Sequence, residues 1–142
     1  MAHSVSSEPA RVLRQAGLRV TPQRLAVARE VMNRQHPTAA EVFEAVRGQF
    51  PTMGLATVYA TLNTMSRCGL VKPLPFADAV RFDANVSPHA NLICTHCGRI
   101  TDFEGCIDLL GQLRDRTEQG AGFALDAERL DLYGTCSNCR PQ

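Results

Sequence analysis

Two C-x2-C knuckles, Cys94-Thr-His-Cys97 and Cys136-Ser-Asn-Cys139, constrain this chain more than any other feature. Four thiolates in two such turns can close a tetrahedral shell around Zn²⁺, an ion that stabilises structure without redox chemistry. Cys97 and Cys136 are separated by 38 residues, whereas zinc ribbons commonly leave about 15–20. A small subdomain must therefore fold between the knuckles, and the metal ties the end of the chain back onto its middle. Such a closed shell leaves no open position for a catalytic water.

Composition narrows the classes. No apolar run approaches the ~20 residues that span a bilayer, so no membrane partner is expected. The opening Met1-Ala-His-Ser-Val-Ser-Ser-Glu8 lacks the charged-then-apolar layout of a secretory signal. A cytoplasmic chain is expected, and there paired cysteines are metal ligands more often than disulfides. The net charge of +1 conceals an asymmetry. Residues 1–75 carry nine Arg or Lys against four Glu, while residues 76–142 carry six against ten Asp or Glu. A basic half suits a polyanion, and an acidic half suits cations or self-association.

Local signals place elements along this frame. Residues 8–16 read as a short helix stopped at Gly17. Thr21-Pro22 opens a second, with Thr21 as N-cap. Thr38-Ala-Ala-Glu41 is a capping box before Val42, Phe43, Val46 and Phe50 at helical spacing. A further helix is expected from Ala56 to Arg67, stopped at Gly69. Leu70–Leu74 and Ala79–Phe82 read as a hairpin, so helices followed by a hairpin give a winged helix-turn-helix. Helix 56–67 is then the recognition helix. After a linker, strands are expected at 91–94, 99–103, 123–125 and 129–133, with an amphipathic helix from Cys106 to Glu118. The fold class is α+β: a winged-helix domain over 1–83, a linker over 84–90 and a small α/β dimerisation domain over 91–142.

In order along nearly the whole chain, several segments resemble the ferric uptake regulator family of metal-dependent repressors. These are Gly17-Leu-Arg-Val-Thr-Pro-Gln-Arg24, His36-Pro-Thr-Ala39, Ala56-Thr-Val-Tyr59, Gly69-Leu-Val-Lys72, Arg81-Phe-Asp83, Cys94-x2-Cys97-Gly98 and Tyr133-Gly-x-Cys136-x2-Cys139. The resemblance implies a homodimer that binds a pseudo-palindromic operator in double-stranded DNA. Tyr59 and Thr57 would face the DNA, while Arg19 and Arg24 reach phosphates. Ala60 stands where iron-uptake members commonly have Arg, so the operator sequence does not carry over. The cysteines Cys94, Cys97, Cys136 and Cys139 would hold structural Zn²⁺. His36, Asp83, His89, Asn91 and Asp102 would form a regulatory site for Fe²⁺ or Mn²⁺.

Asp102, where iron-uptake repressors tend to have Glu, points to the peroxide-sensing branch, in which a ligand histidine is oxidised when bound Fe²⁺ reacts with peroxide. The alternative is an iron- or manganese-responsive repressor that does not sense peroxide. Asn91 departs from the family, which usually has histidine there, and an amide oxygen is the weaker donor. An enzymatic role is disfavoured: no βαβ pattern accompanies a C-x-x-C, and no His-x-Glu precedes the knuckles. Of the remaining residues, Cys68 and Cys106 are expected as partly buried small hydrophobes. His96 is expected to be solvent-exposed, and His3 to lie in a frayed terminus.

Overall fold

The computed structural model describes residues 7–141, so the expectation for His3 falls outside it. The chain divides into two compact units, one reaching Val86 and the other beginning at Ser87.

The first unit opens with α1 (Ser7–Gln15), α2 (Pro22–Asn33), α3 (Ala39–Val46) and α4 (Leu55–Arg67). Gly17 adopts φ +77°, a left-handed conformation that costs glycine little. It lets Leu18 N–H return to the Leu13 carbonyl at 3.0 Å, which closes α1. Thr21 accepts from Arg24 N–H at the start of α2. The box at α3 is complete, with Thr38 Oγ1 accepting from Glu41 N–H and Glu41 accepting from Thr38 N–H. Helix α3 stops at Val46, so Phe50 packs from the loop beyond it.

Strands β1 (Lys72–Pro75) and β2 (Val80–Asp83) pair antiparallel as the hairpin. β1 lies two residues later than expected at its start. Leu70 is spent closing α4, its N–H bonding the Met65 carbonyl after Gly69 at φ +75°. The core gathers Leu13, Val27, Val31, Val42, Val58, Leu62, Met65 and Phe82, drawing on every helix and the hairpin.

The second unit contains β3 (Ala90–Cys94), β4 (Ile100–Phe103), α5 (Ile107–Ala121) and β5 (Leu130–Gly134). The sheet order is β4-β3-β5, with β3–β4 antiparallel and β3–β5 parallel. The expected strand at 123–125 is absent: Phe123 is exposed, and this backbone is bound to α5 instead. Leu125 N–H donates to Glu118, and Arg114 donates to the Leu125 carbonyl at 2.6 Å while pairing with Glu128. The core here is small, with Ala90, Cys106 and Leu110 buried and Leu130 packed against them. Cys106 is buried as expected, whereas Cys68 is exposed just past α4. His96 is exposed within its knuckle.

Candidate metal centres and nucleic-acid face

Parallel pairing of β3 and β5 resolves the long interval between the knuckles. Cys94 ends β3, and its register partner Gly134 ends β5 two residues before Cys136. Parallel strands bring like ends together, so both knuckles emerge at one edge, while β4, α5 and the following loop occupy the interval. Thr95 N–H donates to the Gly134 carbonyl at 2.8 Å, and Cys136 N–H donates to Cys94 Sγ at 3.3 Å. The four sulfurs Cys94, Cys97, Cys136 and Cys139 all lie within 4.8 Å of one another.

Their protonation is divided. Backbone N–H donation from Cys136, then from Cys97, lowers Cys94 to about 5. Shared hydrogen bonding with the Cys136 thiol, then with Cys97, pushes Cys139 up to about 12. Hydrogen bonding with the Cys139 thiol lowers Cys136 as well, so deprotonation is eased at Cys94 and Cys136 and opposed at Cys139. Four converging sulfurs suit a soft-to-borderline divalent ion, whose charge favours their deprotonation.

In the first unit, His36 and Asp83 are both buried, with His36 Nε2 3.4 Å from Asp83 Oδ2. His36 has φ +52°, uncommon for a residue with a side chain. Neighbouring β2 holds it there: Arg81 Nη1 donates to the His36 carbonyl at 3.1 Å, and Phe82 N–H donates to the Pro37 carbonyl at 2.8 Å. Asp83 Oδ1 accepts from Asn85 N–H at 2.9 Å, which leaves Oδ2 towards the imidazole.

In the second unit, His89 Nε2 lies 3.4 Å from Asp102 Oδ1. A carbonyl only accepts, so the 2.6 Å contact from His89 Nδ1 to the Ser87 carbonyl places the proton on Nδ1. Nε2 is then the nitrogen turned towards Asp102, and a second ring nitrogen tied to a carbonyl is how ligating histidines are commonly oriented. Asn91 is buried on β3, with Asp102 as its register partner on β4 and Asp131 on β5. Its Nδ2 donates to Asp131 Oδ1 at 3.0 Å. Arg129 also holds Asp131, with Nε 3.1 Å from Oδ1 and Nη2 2.8 Å from Oδ2. Sequence reasoning passed over Arg129 and Asp131. Their only trace was an acidic residue alternating with Leu130 and Leu132.

The nucleic-acid candidates all lie in the first unit. Thr57 and Tyr59 are exposed on the first turns of α4, where Val58, Thr61, Leu62 and Met65 face inward. Tyr59 is 44% exposed, so it is not a core aromatic. Arg24 lines a shallow depression with Ala56, Thr57, Ala60 and Thr64, and its guanidinium donates to the Arg19 carbonyl at 3.1 Å. The Arg19 side chain is exposed and does not line that depression. Ala60, Thr57 and Thr64 thus present a small-residue face beside one cation.

Comparison with known proteins gives the chain's family. Residues 15–133 match the model of the Ferric uptake regulator family. The chain is 38% identical over 141 residues to the Peroxide operon regulator of Bacillus subtilis, covering 98% of this chain and 96% of the relative. It is 37% identical over 130 residues to the Peroxide-responsive repressor PerR of Staphylococcus aureus, covering 90% and 86%. Among solved structures, the Campylobacter jejuni peroxide stress regulator superposes with a TM-score of 0.72 at 25% identity, covering 96% of this chain and 99% of that one. The chain belongs to the ferric uptake regulator family.

Proposed function

We propose that this protein is a homodimeric, metal-dependent transcriptional repressor that responds to peroxide. In this reading it binds pseudo-palindromic DNA through residues 1–83 and dimerises through residues 91–142, with 84–90 as the linker. The observation that carries it is a pair of preoriented half-sites, His36–Asp83 and His89–Asp102, one in each compact unit. Together with Asn91 they offer imidazole, carboxylate and amide-oxygen donors, which fit Fe²⁺ or Mn²⁺. Only five residues separate Asp83 from His89. A cation shared by both pairs would hold the DNA-binding unit at one angle to the dimerising unit. Moving a two-state equilibrium from 1:99 to 99:1 takes about 5.5 kcal/mol of differential binding, within reach of a chelate with ligands on both sides.

Structural Zn²⁺ at Cys94, Cys97, Cys136 and Cys139 is the accompanying assignment, supported by the convergence of the four sulfurs. Dimerisation is supported by apolar side chains that the second unit leaves exposed, among them Phe103, Leu109, Leu113 and Tyr133. On the DNA side, Tyr59 and Thr57 meet base edges from the N-terminal turns of α4, while Arg19 and Arg24 engage phosphates. Pseudo-palindromy follows from the two-fold symmetry of a dimer. No helix among the described residues is long and apolar enough to cross a membrane, and a cytoplasmic regulator rather than an enzyme is the reading that accompanies DNA binding.

When bound, Fe²⁺ supplies the electrons that cleave hydrogen peroxide next to its ligands. The protein's part is to hold His36 and His89 with one ring nitrogen directed at the site. Oxygen added to either ring removes a donor and loosens the inter-unit clamp. The names of the Bacillus and Staphylococcus relatives support the peroxide response. Asn91 favours the alternative, a manganese- or iron-responsive repressor insensitive to peroxide, because an amide oxygen replaces an imidazole.

One experiment separates the two. The protein is loaded with Fe²⁺ or Mn²⁺, bound to operator DNA and treated with low hydrogen peroxide, and oxidation is mapped by peptide mass spectrometry. Release from DNA with oxygen on His36 or His89, in the iron form only, is the expected result. Iron-loaded protein that stays bound and unmodified would select the alternative.

A further inference from the structure

A buried amide with its nitrogen bonded and its oxygen unmet calls for a partner. Asn91 is 3% exposed, its Nδ2 donates to Asp131, and its Oδ1 is buried without a hydrogen-bond partner. Leaving such an acceptor unsatisfied costs about 1–3 kcal/mol. Because a carboxylate can only accept, Asp131 determines which end of the amide faces it, so the oxygen is the end turned away. Arg129 grips Asp131 through two nitrogens, which neutralises that carboxylate and fixes its plane.

Register places Asn91 on the same sheet face as the second unit's candidate ligand Asp102. Residues directly paired across strands share a face of the sheet, so Asn91, Asp102 and Asp131 project together. His89, two residues before Asn91, falls on that face by strand alternation, consistent with its contact to Asp102. The row His89, Asn91, Asp102 thus offers an imidazole nitrogen, a neutral oxygen and a carboxylate oxygen.

We propose that Asp131, clamped by Arg129, is a positioning residue that presents Asn91 Oδ1 as a metal ligand and thereby shifts the site towards Mn²⁺ and Fe²⁺ over Zn²⁺. The proposal rests on the metal-switch reading above and deepens it. An amide oxygen gains less than imidazole from ions late in the Irving–Williams order, so replacing nitrogen by oxygen narrows the advantage of Zn²⁺. The paired Asp131 supplies orientation without adding a competing negative donor. Outer partners of this kind typically contribute 10–100-fold to metal affinity.

The test is Mn²⁺ binding to the full chain with its four-cysteine site already filled, followed by calorimetry and by the electron paramagnetic resonance of free Mn²⁺. Asn91→Ala and Asp131→Asn are each expected to raise the Mn²⁺ dissociation constant about tenfold, and Arg129→Gln to raise it less. On the Asn91→Ala background, Asp131→Asn should add nothing, since the residue it positions is gone. Asn91→His should tighten Zn²⁺ relative to Mn²⁺. A full further loss from Asp131→Asn in the Asn91→Ala background would show a purely structural role and overturn the proposal. Loss of binding in His89→Ala with none in Asn91→Ala would overturn this proposal alone. Unchanged binding in His89→Ala would overturn the metal-site reading and this proposal with it.

Discussion

In the unit ending at Val86, residues from four helices and a hairpin close one apolar core, with Leu13, Val27, Leu62 and Val58 fully buried. In the unit from Ser87, the buried cluster is Ala90, Cys106 and Leu110, while Ile107, Leu109 and Leu113 of the same helix face outward. The two units are thus held together by different physics. The first is stabilised by burial, at roughly 25 cal/mol for each Å² of apolar surface removed from water. The second has a small core for its size, and in the proposed reading it draws on what small domains use instead: a metal shell and a partner surface. The difference suits the proposed regulator, in which a well-packed reader of DNA is joined to a unit that ligation and association would complete.

Metal removal should separate the units most sharply. Stripping the four-cysteine site with a chelator, or Cys136→Ser, is expected to unfold the second unit and dissociate the dimer, since structural zinc contributes about 10–16 kcal/mol in small zinc domains. Hydrogen exchange should show protection lost over 90–134 and retained in α2 and α4; uniform loss across the chain would erase the contrast. Leu62→Ala is the converse probe. It leaves a cavity in the first unit and should cost about 2–5 kcal/mol, read as a lower Tm of that unit with zinc content and dimerisation unchanged. Thr38→Ala removes one half of the capping box and should cost about 1 kcal/mol. Because α3 follows directly from His36-Pro37, that variant also asks whether a loose helix start weakens regulatory-metal binding. Equal metal affinity would show that Arg81 and β2 suffice to hold His36.

Much of this contrast was legible in the chain. Thr21, Thr38 and Glu41 announce helix starts because the first N–H groups of a helix need acceptors, and the structure supplies each bond. Gly17 and Gly69 announce stops because both take positive φ. The knuckles showed that a subdomain must fold between them, yet spacing alone could not reveal that β3 and β5 run parallel. Alternation misled at Phe123-Ala-Leu125, where an apolar–small–apolar run has no neighbouring strand and is claimed by Arg114 and Glu118. The left-handed backbone of His36 and the Asp131 grip on Asn91 arise from tertiary contacts, which no local window contains.

In the proposed reading, a cation held jointly by ligands from both units governs DNA affinity. The most direct test is operator affinity with and without Mn²⁺, for the zinc-loaded protein and for Asp83→Asn, at fixed ionic strength because phosphate contacts make binding salt-dependent. The account predicts that Mn²⁺ tightens DNA binding by about 5–150-fold, the usual range of coupling between sites, and that Asp83→Asn abolishes that gain while its metal-free affinity is unchanged. Equal affinity with and without Mn²⁺, or full Mn²⁺ activation of Asp83→Asn, would contradict it.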